Sequence, residues 1–277
     1  MVGYLKPTSL DEALHLVAEH PRGVIAGGTV WLPLIHNQMA SASAAFVDIT
    51  GVPELLGFGE DHDRLRIGAA VTLEQLHREP AVPSILRDAA QSCASPEIRR
   101  QATIGGNIET ALVPGDLLPA LWILDAQIEL RSSAGNRHLA ISSYITSLGS
   151  DRRDDELLVS LSVNAAPAGD LFFIKVGRRA TFSQSVATLA IQSIQGHNDT
   201  IVDLQLVAGA IKRPPLRLAN TGSLAIGMSP NDGLVSELAQ SARSEIDPDP
   251  EYWVTSDYRA AVVGSMVKTG LKELWIK

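Results

Sequence analysis

Apolar residues Leu10, Ala13, Leu14 and Val17 recur at helical spacing directly behind Ser9-Leu10-Asp11-Glu12. A hydroxyl followed three residues later by a carboxylate is the spacing of a capping box, so a helix is predicted to start there. The run Gly23 to Ala26 reads as a short strand entering Gly27-Gly28-Thr29, and Ala45 to Thr50 reads as another beyond a short helical piece. Together these form a compact βαβ-like unit. Leu55–Phe58 and Leu65–Val71 pattern as a hairpin around the polar Gly59–Asp63. Helices are predicted from Thr72 to about Glu79, over Ser84–Ala94 and over Leu117–Leu124. The stretch between the last two, Ser95–Gly115, is rich in Gly, Thr, Asn and Pro and predicts a long irregular loop, a feature usually tied to function.

Strands follow at Ala126–Arg131 and Arg137–Ile141, joined by the turn Ser132–Asn136, and the charge run Asp151–Glu156 reads as a solvated connection. Beyond it, strands Leu157–Val163, Leu171–Val176 and Ile201–Ile211 surround an expected helix at about 184–194, and further helices are expected over 232–244 and 256–274. A domain boundary is predicted near residue 165, and the sequence contains no internal repeat.

Composition narrows the function classes. The 277 residues carry 23 Lys+Arg against 31 Asp+Glu, a net charge of −8, which argues against general binding to nucleic acid or an anionic membrane. Residues 23–47 lack any Asp, Glu, Lys or Arg, yet Pro33, His36, Asn37 and Gln38 make the stretch too polar and broken for a membrane span. The start of the chain, with Lys6, Asp11 and Glu12, does not pattern as a signal peptide, so a cytoplasmic protein is expected. The single cysteine, Cys93, excludes an internal disulfide and a self-contained iron–sulfur cluster, which takes about four cysteine ligands. Any electrons moved by this protein must therefore be carried by an organic cofactor or by a partner.

The sequence holds no G-x-G-x-x-G, no Walker loop, no G-x-S-x-G and no H-E-x-x-H. Two glycine pairs remain: Val24-Ile-Ala-Gly-Gly-Thr29 and Ala102-Thr-Ile-Gly-Gly-Asn-Ile108. Paired glycines let a backbone approach a diphosphate closely and turn its amides inward. Thr29 and Thr103 add hydroxyls and Asn107 an amide, a dipolar scheme open to an acidic protein. Each pair alone is also an ordinary glycine turn.

Thr103-Ile-Gly-Gly-Asn-Ile108 with Asp116-Leu117 resembles the T-I-G-G-N-[IL]…D-L signature of molybdenum hydroxylase flavoproteins, and Ala26-Gly-Gly-Thr29 resembles their A-G-G-T loop. These are the FAD-binding medium subunits of xanthine dehydrogenase and carbon monoxide dehydrogenase type enzymes. Pro7–Ala13, Leu65–Ala69, Ala94–Arg99, Lys175–Ala180 and Ser256–Arg259 extend the resemblance over nearly the whole chain. It implies an α+β protein: a two-lobed vanillyl-alcohol-oxidase-type (PCMH) FAD-binding domain over 1–165, with lobes of about 1–52 and 53–165, then a smaller flavoprotein C-terminal α+β domain over 166–277. It also implies that Ala26, Gly27, Gly28 and Thr29 hold the FAD pyrophosphate from one side and Gly105, Gly106 and Asn107 from the other. Thr110 and Asp116 match positions near the ribityl and adenosine parts, and Lys175 a lysine near the flavin.

The implied role is an oxidoreductase subunit. It would receive electrons from [2Fe-2S] clusters on a small subunit, fed by a molybdopterin-containing large subunit, and release them through FAD to NAD, a quinone or oxygen. No catalytic side chain and no metal ligand is expected. The sequence departs from the family pattern at Val30-Trp31, Glu109 and Leu112-Val113. A stand-alone flavin oxidoreductase and a scaffold that has lost FAD are the alternatives. Read individually, Asp116 also suits a helix cap, Lys175 a surface position, Cys93 a buried filler, Trp31 and Trp122 core positions, and Arg99 and Arg100 a solvated loop.

Overall fold

A computed structural model describes residues 3–37, 43, 45–110, 115–147, 151–179, 183–212, 214–250 and 254–276. Its elements begin with β1 (Gly3–Leu5), α1 (Leu10–Glu19), β2 (Val24–Ile25), α2 (Trp31–His36), β3 (Ala45–Asp48), β4 (Phe58–Asp61) and β5 (Arg64–Gly68). Next come α3 (Leu73–Arg78), α4 (Ser84–Ser92), α5 (Pro96–Arg99), α6 (Ile104–Glu109), α7 (Leu118–Ile123), β6 (Gln127–Ser132), β7 (Gly135–Ala140), α8 (Ile141–Thr146) and β8 (Leu157–Asn164). The chain continues through β9 (Asp170–Gly177), β10 (Ser185–Gln195), β11 (Ile201–Gly209), β12 (Leu216–Arg217), α9 (Ala219–Leu224), α10 (Asp232–Glu245) and α11 (Ser256–Trp275).

These elements fall into two compact units. The first comprises 1–82, 95–113 and 125–165, and the second 83–94, 114–124 and 166–277. Two segments of the expected first domain, carrying α4 and α7, are grouped with the second unit. Helix and sheet are mixed in both units, the α+β class that the resemblance implies.

In the first unit, β1, β3 and β2 form a small parallel sheet in that order, with Tyr4 opposite Phe46 and Val24 opposite Val47. Helix α1 covers its own core through Leu10, Ala13, Leu14 and Val17, and Ser9 Oγ caps it by accepting from the amide of Glu12. A five-stranded antiparallel sheet runs β4-β5-β8-β6-β7. Its first hairpin is tighter than expected. Asp61 pairs with Arg64 across a two-residue turn, His62 takes φ +58°, and Leu55 lies in a preceding 3-10 turn instead of a strand.

The second unit is built on an antiparallel sheet, β12-β11-β10-β9. Residues 185–195 form the central strand β10, correcting the helix expected at 184–194. All of Ser185–Ser193 is buried, which removes the period-2 alternation. Ala187, Leu189 and Ile191 share a core with Leu238 of α10 and Val263, Val267 and Leu271 of α11. Thr188 on the opposite face lies with Pro119 of α7 beside Gly209. The expected loop over 95–115 is corrected too: it holds helices α5 and α6, capped by Ser95 and Thr103.

Candidate functional site

Strand β2 ends at Ile25 and the chain turns through Gly27, Gly28 and Thr29 into α2. Gly28 has φ +63°, a left-handed value that glycine adopts without strain, and its carbonyl accepts the amide of Leu32. A Cβ on Gly27 would lie 1.9 Å from the carbonyl oxygen of Gln101, so only glycine lets this turn rest on the backbone leading into α6. The two glycine pairs are therefore neighbours within the first unit. Among the described residues, the amides of Gly27, Gly28, Thr29 and Val30 donate to nothing in the chain, nor does the Thr29 hydroxyl. Ala26 through Val30 are half-buried. Half-buried amides without acceptors need water or a ligand.

The second pair behaves differently. Thr103 caps α6 by accepting the Gly106 amide at 3.1 Å, the Gly105 amide donates to Ala69 O, and the Asn107 amide donates to Thr103 O. The Thr110 hydroxyl donates back to Gly106 O at 2.6 Å. Neither glycine has positive φ. Gly105 is a packing glycine: a Cβ there would come within 2.7 Å of Ala69 O and 3.1 Å of Leu158. The Gly105, Gly106 and Asn107 amides thus each have an acceptor within the chain, unlike those of the turn. What remains open on α6 is the side-chain oxygen of Asn107, which is buried and has no partner among the described residues.

Asp116 and Lys175 meet inside the second unit. Lys175 Nζ lies 2.7 Å from Asp116 Oδ2 and donates to Ser92 O at 3.0 Å, and both charged side chains are only 11% exposed. The Ser185 hydroxyl donates to Asp116 Oδ1, and the Cys93 thiol donates to Oδ2 at 3.6 Å. Asp116 does not cap α7, and Lys175, in the middle of β9, is no surface lysine. Cys93 is buried, as its reading as a filler expects.

Three polar clusters in the first unit escaped the sequence reading. Arg99 is buried instead of solvated, with Nε 3.1 Å from Glu74 Oε2, while Arg78 binds Oε1 of the same carboxylate at 2.7 Å. Burial would raise the Glu74 pKa, but the two guanidinium groups outweigh it and hold the carboxyl below its usual range. Arg137 grips the buried Glu156 with two bonds of 2.7 and 2.8 Å, which likewise lowers that carboxyl. Tyr144 donates to Glu109 Oε1, and Arg152 Nε lies 3.1 Å from Glu109 Oε2. Burial and then the Glu109 carboxylate push the Tyr144 phenol far up. Partners in these clusters stand 19 to 43 residues apart apart from the Arg78 contact, so no local spacing announces them. Leu112, Val113 and Pro114 lie outside the described residues.

Residues 1–165 match the family described as the FAD binding domain in molybdopterin dehydrogenase. The chain belongs to this family. Residues 172–274 of this FAD-binding chain match a second description, the CO dehydrogenase flavoprotein C-terminal domain. Among curated relatives, a putative xanthine dehydrogenase FAD-binding subunit of Escherichia coli K12 is 28% identical over 98% of this chain and 94% of its own length. The carbon monoxide dehydrogenase medium chain of Hydrogenophaga pseudoflava is 27% identical over 99% and 97% of the two chains. A solved structure of carbon monoxide dehydrogenase from the same organism superposes with a TM-score of 0.90 at 25% identity, covering 99% and 97% of the two chains. Quinoline 2-oxidoreductase from Pseudomonas putida 86 shares the fold, with a TM-score of 0.91 at 21% identity over 99% and 96%. The protein is accordingly an oxidoreductase subunit whose cofactor is FAD. The first unit fits that cofactor: the 27–30 turn offers unspent amides suited to a diphosphate, and Asn107 offers an unspent acceptor suited to a hydroxyl or amine. Among the described residues no helix is long and apolar enough to cross a membrane, and no cluster of His, Cys, Asp and Glu could hold a metal ion.

Proposed function

We propose that this chain is the electron-transferring medium subunit of a molybdenum hydroxylase, working between an iron–sulfur small subunit with a molybdopterin-containing large subunit and a terminal acceptor such as NAD, a quinone or oxygen. FAD, when bound, supplies the redox chemistry, taking electrons from the partner's [2Fe-2S] clusters and passing them on. The observation that carries this reading is the turn of unspent amides at Gly27–Val30, set against the backbone of Gln101–Ala102 in a chain of this family. One cysteine cannot ligate a cluster, so the clusters belong to a partner.

In this reading residues 1–165 hold FAD, with lobes of about 1–52 and 53–165, and 166–277 form the C-terminal domain. The amides and hydroxyl of the 26–29 turn neutralise the diphosphate, while Asn107 accepts from the dinucleotide. Gly105, Gly106, Thr103 and Thr110 act by shaping α6. Asp116 and Lys175 act as a charge-compensated pair, so their contribution is position more than net charge. A cytoplasmic location completes the reading, consistent with a free buried thiol at Cys93.

The test is purification of the chain with its native partners. The expected result is one FAD per chain, a co-purifying cysteine-rich chain, and flavin bleaching by the substrate only when both partners are present. Bleaching of the isolated chain by substrate would support a stand-alone enzyme. A colourless chain that ignores added FAD would sink the proposal.

A further inference from the structure

Helix α6 is a weak helix by composition. Its six residues, Ile-Gly-Gly-Asn-Ile-Glu, include two glycines, the poorest helix formers after proline. Six residues are also far fewer than an isolated helix needs. Its shape is therefore imposed from outside. The N-terminal end is fixed by the Thr103 cap, by the Thr72–Thr103 bridge, and by the Ile104 and Gly105 amides on Val71 O and Ala69 O.

The other end is fixed by Glu109, the last helical residue. A carboxylate at a helix C-terminus opposes the helix dipole, so this position is unfavourable unless cations or donors hold it. Both oxygens are held: the hydroxyl of buried Tyr144, from α8, donates to Oε1, and Arg152 Nε lies 3.1 Å from Oε2. Arg152 in turn donates to Glu156 O at 2.7 Å, and the buried Glu156 carboxylate is locked by Arg137 of β7 and by the Arg153 amide. A continuous polar chain thus runs from β7 to the end of the helix that carries the unpartnered oxygen of Asn107. We propose that Glu109, clamped between Tyr144 and Arg152, is a positioning residue for FAD, acting through α6 to hold Asn107 where the dinucleotide meets it. The inference rests on the reading of α6 as part of the FAD site.

The test uses the full-length chain stripped of flavin, titrated with FAD and read by quenching of flavin fluorescence, with apo-protein melting measured alongside. Glu109→Ala should raise the FAD Kd roughly tenfold, the size of one lost charge-assisted contact. Glu109→Gln, which keeps an acceptor for Tyr144, should recover part of that loss. Tyr144→Phe should raise Kd with Glu109 intact, and it serves as the second variant should Glu109→Ala not fold. Because Glu109 acts through α6, its effect should shrink markedly in an Asn107→Ala background. A Kd within twofold of wild type in both Glu109→Gln and Tyr144→Phe, whatever happens to melting, would overturn the clamp while leaving the FAD reading intact. Equal Glu109→Ala effects with and without Asn107 would overturn the route through α6. A wild-type chain that takes up no FAD would overturn both ideas together.

Discussion

The turn at 26–30 and the helix at 104–109 each carry a glycine pair, yet the two pairs solve opposite problems. In the turn, Gly28 supplies a left-handed φ and Gly27 a missing Cβ, and the amides meet no acceptor among the described residues. In the helix, both glycines have ordinary φ, Gly105 permits close packing on Ala69, and the amides are consumed by Ala69 and Thr103. Asp116 and Lys175 follow the helix, not the turn, since each meets its partners inside the second unit. A glycine pair in a motif thus reveals a backbone requirement, and a charged residue a partner. Whether its polar atoms are left for a ligand is decided by where the hydrogen bonds go.

The contrast is broken most directly at the turn. Gly28→Val forces a branched side chain into φ +63° and against Leu32, whose Cδ1 would lie 2.8 Å from the new Cβ. The residue lies outside the regular elements, so we expect FAD affinity to fall at least about 100-fold while most of the fold survives. Gly105→Val should do the reverse in kind, lowering the melting temperature before flavin is considered, because its Cβ meets backbone at Ala69. Flavin titration and apo-protein melting on both variants separate the outcomes. Equal flavin loss with unchanged melting in both would erase the distinction between the two glycine pairs.

The charged pair is the next point of attack. Removing one partner of a buried ion pair strands the other, at a cost of about 3–5 kcal/mol. Lys175→Met should therefore destabilise the chain by that order in urea unfolding, and Asp116→Asn should do likewise. The double variant should lose less than the sum of the two. Full additivity would mean that the 2.7 Å contact carries no coupling, and the pair would then be free to serve the cofactor separately.

Glu156 sharpens the comparison from the side of pH. Its carboxyl is held below the usual glutamate range chiefly by the Arg137 hydrogen bonds. A depressed acid contributes stability that is fully present above its unfolded value and is lost as pH falls through its folded value. Glu156→Gln should accordingly flatten the acid side of the stability curve, below about pH 4.5, where wild type loses this contribution. An unchanged slope between neutral pH and pH 3 in the variant would show that the carboxylate is not paired in solution.

Much of this was legible beforehand. Capping residues marked α1 and α3, and alternation marked most strands, because those signals are local and one-sided. Strand β10 was not legible, since burial on both faces leaves Ser185–Ser193 without a period. Helices α5 and α6 were hidden by proline and glycine, although Ser95-Pro96 and Thr103, three residues ahead of Gly106, are helix-start signals. The pairs Glu74–Arg99, Tyr144–Glu109 and Lys175–Asp116 span 25, 35 and 59 residues, distances over which only the fold brings partners together.

The smallest effect is expected at Thr103, and it bears on the comparison most finely. Its Oγ1 accepts the Gly106 amide at 3.1 Å in a site only 2% exposed. Loss of such a cap costs about 1 kcal/mol, so Thr103→Ala should lower stability by that amount and Thr103→Ser should restore it. If that hydroxyl serves only as the cap, its influence on FAD is bounded by the same energy, roughly a fivefold rise in Kd. If Thr103→Ala instead lost flavin as completely as Gly28→Val while melting normally, the hydroxyl would be a direct ligand group. The helix would then belong with the turn, its spent amides notwithstanding.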